Sequence, residues 1–415
     1  MGKNDNAWKV LFERYNILDE IQTKGSFIIS SSAIDEVREA RLMAKFDHYD
    51  DLPSVFLRNR LGILPISRRE YILGEFNLFC NLDPYGAEDP IEHYLPTFVQ
   101  SLDPSNITSE STAMDCAYAS RMINTLLNED DIYPGPHSRM GSGLFDFKIY
   151  GLNVIVNNAQ IEIDATYEGR KYISFMEAKL DLSDDFNIRQ LYYPYRVLSS
   201  KYPNKPIRPI FMMYSNGVFR FFEYEFQNIN VYESINLLKR TYFVIDDIKI
   251  RKDDIIDIWK NTQIRNEPDV AFPQANRFSR VVNLCELLFD SQMNHDEITS
   301  KYSFVGRQTD YYITAGVYLG LIERVKYGDE RSVQLTEYGK MVMSLKLKPR
   351  QFEFFRCIFS HHVFWEVFAT WVNNGIFPKK KDAECILLGN LSKDTKERRL
   401  STAISWVKWI INLCE

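Results

Sequence analysis

Asp164, Glu177 and Lys179 have types and spacing that suit metal-assisted hydrolysis of a phosphodiester. They lie in Gln160-Ile-Glu-Ile-Asp-Ala-Thr-Tyr167 and Tyr172-Ile-Ser-Phe-Met-Glu-Ala-Lys179, two strand-like runs joined by Glu168-Gly169-Arg170-Lys171. Side chains alternate along a strand with period two, so Glu177 and Lys179 share one face, and Glu162 and Asp164 share a face of theirs. Antiparallel pairing brings Asp164 opposite residues 175–177. One patch then holds two or three carboxylates and an ammonium. Carboxylate oxygens suit a hard cation such as magnesium, which polarises a phosphate and acidifies a bound water. A lysine beside it can orient or deprotonate that water and stabilise charge building on the phosphate. Spacing alone favours a plain hairpin with a solvated charged face. Ile161, Ile163, Ile173 and Phe175 reverse that weighting. They put apolar residues on both faces, and charge amid buried strand is costly unless it is paired or holds a metal.

The elements that must position these residues follow from periodicity and turn signals. Residues 1–90 read as an N-terminal α/β unit: a helix over Ala7–Ile21, a short strand at Phe27–Ser30, a helix capped by Ser32, and strands near residues 63–65 and 71–76. Asp83-Pro84-Tyr85-Gly86 marks a boundary. Residues 91–268 read as a central domain. A helix over Glu110–Leu127 precedes strands at 144–149, 160–167, 172–179, 207–214 and 219–224, with a helix at 184–200 between the third and fourth. That order suits a mixed sheet flanked by helices, hence a mixed α/β (α+β) fold class. Residues 269–348 show three helices and a hairpin around Gly328-Asp329, the winged form of a helix-turn-helix. Residues 349–415 add a helical stretch over Phe352–Trp371 and a last helical pair split by Asn390-Leu391-Ser392, a second helix-turn-helix-like module.

The Asp164 and Glu177-Ala178-Lys179 pattern resembles the PD-(D/E)xK nuclease superfamily. More narrowly, several segments resemble a group of bacterial type II restriction endonucleases. They are Arg38-Glu-Ala-Arg-Leu-Met-Ala-Lys-Phe-Asp-His48 with Leu52-Pro53, Leu64-Pro65 with Arg69-Glu70-Tyr71, Ser138-Arg-Met-Gly-Ser-Gly-Leu-Phe-Asp-Phe147, and Arg189-Gln-Leu-Tyr-Tyr-Pro194. The resemblance implies Asp164 and Glu177 as magnesium ligands, Lys179 as the catalytic lysine and Gln190 as the helix glutamine of the site. Glu110 is a candidate additional metal ligand; as a carboxylate opening a helix, it is also favoured there by the dipole alone. Ala165 stands where many members carry Pro or a second acid.

Composition bounds the partners. The 415 residues carry a net charge of −6, yet residues 277–415 hold 20 Lys+Arg against 16 Asp+Glu. A basic tail on an acidic body fits local contact with a polyanion. Arg307, Gln308 and Thr309 open the third helix of the winged unit, where such helices contact base edges. Arg398 and Arg399 in the last helix, and Arg139 in the 138–147 segment, join the expected DNA-binding set, and Arg38, Arg41, Lys45, Arg58, Arg60, Arg68 and Arg69 make the N-terminal unit a further expected DNA-recognition unit. His48, His361 and His362 read as surface or satisfied core histidines. Six dispersed cysteines form no CxxC, which argues against a zinc finger or a disulfide framework. No signal core, lipidation signal or bilayer-length apolar run appears, so a cytoplasmic chain without a membrane partner is expected. The resemblance implies double-stranded DNA as substrate, cleavage to 5′-phosphate and 3′-hydroxyl ends, a companion DNA methyltransferase and, for a palindromic target, a homodimer. The rival expectations are a non-catalytic DNA-binding regulator with a relict nuclease fold, and a nuclease for repair or modified DNA.

Overall fold

The protein is a mixed α/β chain whose centre is a curled, mixed seven-stranded sheet. A computed structural model describes residues 3–83, 90–104, 106–245, 250–302, 306–327, 330–387 and 392–413. The expected boundary turn at Pro84–Gly86, the Gly328-Asp329 turn and the Asn390-Leu391 break lie outside the described residues. No described helix is long and apolar enough to cross a membrane.

The sheet runs in the order Ile91–His93, Ile235–Ile245, Val218–Phe226, Ile207–Ser215, Ile173–Lys179, Ala165–Glu168, Tyr133–Pro134. The 173–179 strand is parallel to 207–215, and 235–245 is parallel to 91–93; the other pairs are antiparallel. Strand 173–179 is buried over nearly its whole length, as an inner strand covered on both faces must be. Phe175 belongs to a core that includes Leu191, Tyr192 and Tyr193 of helix Arg189–Lys201. Met176 and Ala178 face a second core with Met114, Met122, Ile123 and Leu126. The strands at 152–157 and 235–245 were not foreseen. The first closes a hairpin with 144–149 through Tyr150 and Gly151, at φ 46° and 84°. Glycine takes the second of these at no steric cost.

Three expected helices are each broken in two. Asn16, at φ 47°, separates Lys3–Tyr15 from Ile17–Lys24. Arg121, at φ 65°, separates Glu110–Ala119 from Met122–Leu127. His361, in extended backbone, separates Leu347–Phe359 from His362–Asn374. A single left-handed or extended residue interrupts the hydrogen-bond ladder while leaving the apolar pattern around it intact.

The cores also redraw the expected units. The N-terminal elements, a three-stranded antiparallel sheet and helices packed around Trp8, Phe12 and Phe56, share one continuous core with a face of the central sheet. Helix Lys252–Asn261, expected within 91–268, packs instead into the C-terminal core: Trp259 lies 4.7 Å from Trp365, ring centre to ring centre. That core runs from Ile250 to Ile410 and crosses the expected 348/349 boundary, because the last helix returns to the first. The Trp406 indole donates to Ala275 O at 2.6 Å, and its ring stands 4.9 Å from Phe278. Within it, Phe278–Leu287, Met293–Asn294, His295–Tyr302, Gly306–Tyr318 and the pair Ile322–Tyr327 and Glu330–Leu335 follow in order. Strand 330–335 pairs with both 322–327 and 293–294.

Candidate active site

The expected 160–167 strand changes partner at Asp164. Residues 160–162 pair with 139–141, while 165–168 pair with 173–176 of the central sheet. Ala165 lies opposite Met176, so Asp164 falls beside Glu177. Its Oδ2 accepts the Ala178 backbone N–H at 2.8 Å. Glu162 does not join the patch. It is half exposed and accepts from Arg139 Nε at 2.9 Å, which also gives Arg139 a carboxylate partner.

Glu177 and Lys179 share a strand face, and Lys179 Nζ donates to Glu177 Oε1 at 2.6 Å. The same oxygen accepts from Gln190 Nε2 at 2.6 Å, so the first turn of helix 189–201 is fixed onto the carboxylate. Gln190 is 8% exposed, and its Oε1 has no hydrogen-bond partner. Glu110, at the start of its helix, places Oε1 3.8 Å from the Lys179 ammonium. Asp164, Glu177, Lys179, Gln190 and Glu110 are therefore assembled at one end of the sheet.

The electrostatics are those of a cation outnumbered by carboxylates. Burial raises the Glu177 carboxyl above its usual range; Lys179 opposes this and Asp164 adds to it. Burial likewise raises Asp164, against the Ala178 N–H and Lys179, and raises Glu110, against Lys179. Burial works against the Lys179 cation, but Glu177, Glu110 and Asp47 together hold it above the ordinary lysine range.

The three expected metal ligands are not assembled as a set. Among the described residues, no group of three or more His, Cys, Asp or Glu side chains is arranged to hold a metal ion. The Lys179 ammonium contacts both Glu177 and Glu110, and the strand register leaves Asp164 and Glu177 as neighbouring acids. Two carboxylates still fit magnesium, which keeps several waters and takes one or two protein carboxylates plus substrate phosphates.

Sequence reasoning expected the N-terminal unit to contact DNA but missed that Asp47 and His48 reach this cluster. The Asp47 carboxyl is held below its usual range: burial raises it, but Lys179, Lys45, Arg189 and His48 outweigh burial. His48 Nδ1 lies 2.8 Å from Asp185 O and 3.2 Å from Asp185 Oδ1, on the segment that follows Lys179. The only local sign was that both residues fall in the 38–48 segment. A cavity of about 430 Å³ adjoins the cluster, with Glu110, Lys179 and Asp181 on one wall and Asn283, Glu286 and Asp290 on the other. Asn283 Nδ2 donates to Leu180 O at 2.8 Å and ties the C-terminal core to the residue after Lys179.

Three family models match the chain, each described only as a domain of unknown function: DUF6996 over residues 5–73, DUF6997 over 74–244 and DUF7226 over 280–415. No curated protein and no solved structure matches it. The middle match contains Asp164, Glu177, Lys179, Gln190 and Glu110, and the first contains Lys45, Asp47 and His48. The last covers the C-terminal helices across residue 348 without a break, in keeping with their single core.

The expected DNA-reading residues lie in that C-terminal core region, apart from Arg139. Arg307 opens helix 306–318, but its side chain is outside the described residues. Gln308 is half-buried. Thr309 corrects an expectation: it is 0% exposed, and its hydroxyl lies 2.9 Å from that of Thr299, so it joins two helices and does not face a groove. Arg398 is exposed and donates to Thr395 Oγ1 at 3.4 Å; the Arg399 guanidinium lies 5.2 Å over the Phe272 ring. His361 is a satisfied core histidine, 3.3 Å from Glu267 Oε2.

Proposed function

We propose that this protein is a magnesium-dependent DNA endonuclease of the type II restriction kind, with a PD-(D/E)xK core in the central sheet and a winged helix in its C-terminal region. The observation that carries the reading is the junction at Asp164. Its carboxylate is bound to the backbone of Glu177-Ala178-Lys179 while Gln190 and Lys179 both hold Glu177 Oε1. Four residue types suited to one chemistry thus converge from one strand, the break before its neighbour and a helix.

Asp164 and Glu177 would hold magnesium, with Glu110 on the far side of Lys179 available to a more distant water or cation. The metal supplies Lewis acidity at the scissile phosphate and an acidified water. Lys179 remains cationic among its carboxylates, so its part is to orient the attacking water and stabilise charge on the phosphate oxygens. Gln190 fixes the Glu177 carboxylate and leaves its amide oxygen as an acceptor. Arg307 and Gln308, with Arg398, Arg399 and Arg139, would supply base and backbone contacts. In this reading a companion DNA methyltransferase protects the host DNA, and a homodimer serves a palindromic target. In this reading the protein acts in the cytoplasm.

Purified protein incubated with plasmid DNA and magnesium should yield discrete fragments with 5′-phosphate ends. Lys179→Ala should remove cleavage and retain DNA binding. Smearing without discrete fragments points to a nuclease of low sequence choice. Binding without cleavage under any divalent metal points to a DNA-binding regulator, and cutting by Lys179→Ala at the normal rate refutes the site.

A further inference from the structure

The N-terminal unit reaches the acidic cluster through one bend. Helix Ala40–Ala44 ends at Lys45, whose backbone turns extended at φ −103° and ψ 99°. The bend is tied on both sides. The Trp8 indole donates to Met43 O at 2.8 Å, and the Asn187 side-chain amide donates to Phe46 O at 2.9 Å. The Asn187 backbone N–H donates to Asp47 O at 3.0 Å. Asn187 ends strand Asp185–Asn187, two residues before helix 189–201, whose second residue is Gln190, so the bend and the Glu177 carboxylate are fixed to one short segment. Asp47 follows its backbone inward, and its Oδ1 is out of contact with solvent.

Lys45 does the opposite. Its side chain is 61% exposed, and its ammonium makes one loose contact, 3.7 Å to Asp47 Oδ2. Its charge also acts on the Glu110 carboxyl, at the start of helix Glu110–Ala119. The cation therefore stands exposed beside Asp47, with its charge felt by the cluster. Lys179, by contrast, is 18% exposed and held by Glu177. A phosphodiester approaching this centre meets Asp47, Glu110, Asp164 and Glu177, and the Lys179 charge is already shared among them. A loosely paired surface ammonium gains little from its partner and can transfer to a phosphate at small cost.

We propose that Lys45, supplied by the N-terminal unit, is a phosphate-contacting residue of the cleavage centre that draws the DNA backbone against the Asp164–Glu177 pair. This rests on the nuclease reading above. It makes the N-terminal unit a part of the centre, not only a separate reader of sequence.

The test measures binding of full-length protein to a linear mixed-sequence duplex across a salt series, in the Lys179→Ala background so that the DNA stays intact. Loss of one phosphate contact makes the slope of log affinity against log salt shallower by about 0.9. Lys45→Ala should show that change with about tenfold weaker binding at low salt. Lys45→Arg should keep the parent slope, because the charge is retained. Lys24→Ala, whose ammonium pairs with Glu20 on its own helix, should match the parent. If the parent binds DNA and Lys45→Ala shows the parent slope, the Lys45 assignment is overturned while the nuclease reading stands. If wild type neither binds nor cuts DNA, the nuclease reading fails and this inference falls with it.

Discussion

The central sheet holds two buried ion pairs that differ in one respect. Arg208 donates to Glu223 through Nε and Nη2, both at 2.5 Å, and the partners' side chains are 18% and 8% exposed. Lys179 and Glu177 sit 2.6 Å apart at 18% and 11% exposure. Burial and distance are nearly the same. The surroundings are not. The Arg208 guanidinium matches one carboxylate with two bonds and lies 5.0 Å over the Tyr172 ring, a closed arrangement with balanced charge. Lys179 has one bond to Glu177 and a surplus of acids around it: Glu110, Asp164 and Asp47. A pair that serves only the fold has no use for that surplus. A pair that serves a cation and a phosphate does.

The largest expected contrast is between Arg208→Ala and Lys179→Ala. Removing one partner of a closed buried pair leaves an uncompensated charge and costs about 3–5 kcal/mol. Arg208→Ala should therefore lower the denaturation midpoint sharply, while the protein that remains folded still cuts DNA. Lys179→Ala leaves Glu177 bonded to Gln190 and already inclined to take up a proton, so its stability cost should be smaller, about 1–3 kcal/mol, with cleavage lost. Denaturation curves and plasmid cleavage on both variants decide it. Equal loss of stability and equal loss of activity in the two would erase the distinction.

A smaller effect comes from the segment after Lys179. Burial disfavours the His48 cation, but Asp185 by hydrogen bond, and Asp181 and Asp51 by charge, raise its pKa from the ordinary 6.5 to about 9. A group whose folded pKa is raised stabilises the native state fully below its unfolded pKa and loses that contribution as pH rises through the folded one. Wild-type stability should thus decline between about pH 6.5 and about pH 9 in a way that His48→Gln does not share. Thermal midpoints of both proteins across that range test it; parallel curves would show that His48 does not anchor the 181–185 segment through its charge. Arg208→Ala carries no such signature, which sharpens the contrast between the pairs.

How much of this was legible follows the range of the interactions. Asp164, Glu177 and Lys179 converge through period-two alternation and one tight turn, all within sixteen residues, and that geometry can be read from the sequence. Gln190 follows on the next helix. Glu110 was ambiguous, because a carboxylate at a helix start has a local reason to be there; only its 3.8 Å approach to Lys179 ties it to the cluster. Lys45 was legible only as one of several basic residues of a DNA-contacting N-terminal unit, and Asp47 and His48 were not legible as site residues. His48 and Asp185 stand 137 positions apart, and no local pattern joins them. The helix breaks at Asn16 and Arg121 escaped for the opposite reason: the apolar period continues across each left-handed residue. The unit boundaries escaped because composition marks turns, whereas cores are closed by returning helices such as the one bearing Trp406.

The smallest predicted effect separates a helix-joining residue from a DNA-reading one. Thr309 sits among side chains expected to contact DNA, yet it is buried and bonded to Thr299. Losing one such hydroxyl contact costs about 1 kcal/mol. Thr309→Ala should therefore lower stability by about that amount and leave the salt slope of DNA binding unchanged. A charge-removing change at the exposed Arg398 should do the reverse: little change in stability and, if that helix meets the backbone, a shallower slope by about 0.9. The logic is the one that divides Lys179 from Arg208. A polar group with all its bonds made inside the protein holds the fold, and one with surplus charge or an open side is available to a ligand. If Thr309→Ala changed the salt slope and Arg398→Ala did not, that criterion would fail in the C-terminal region.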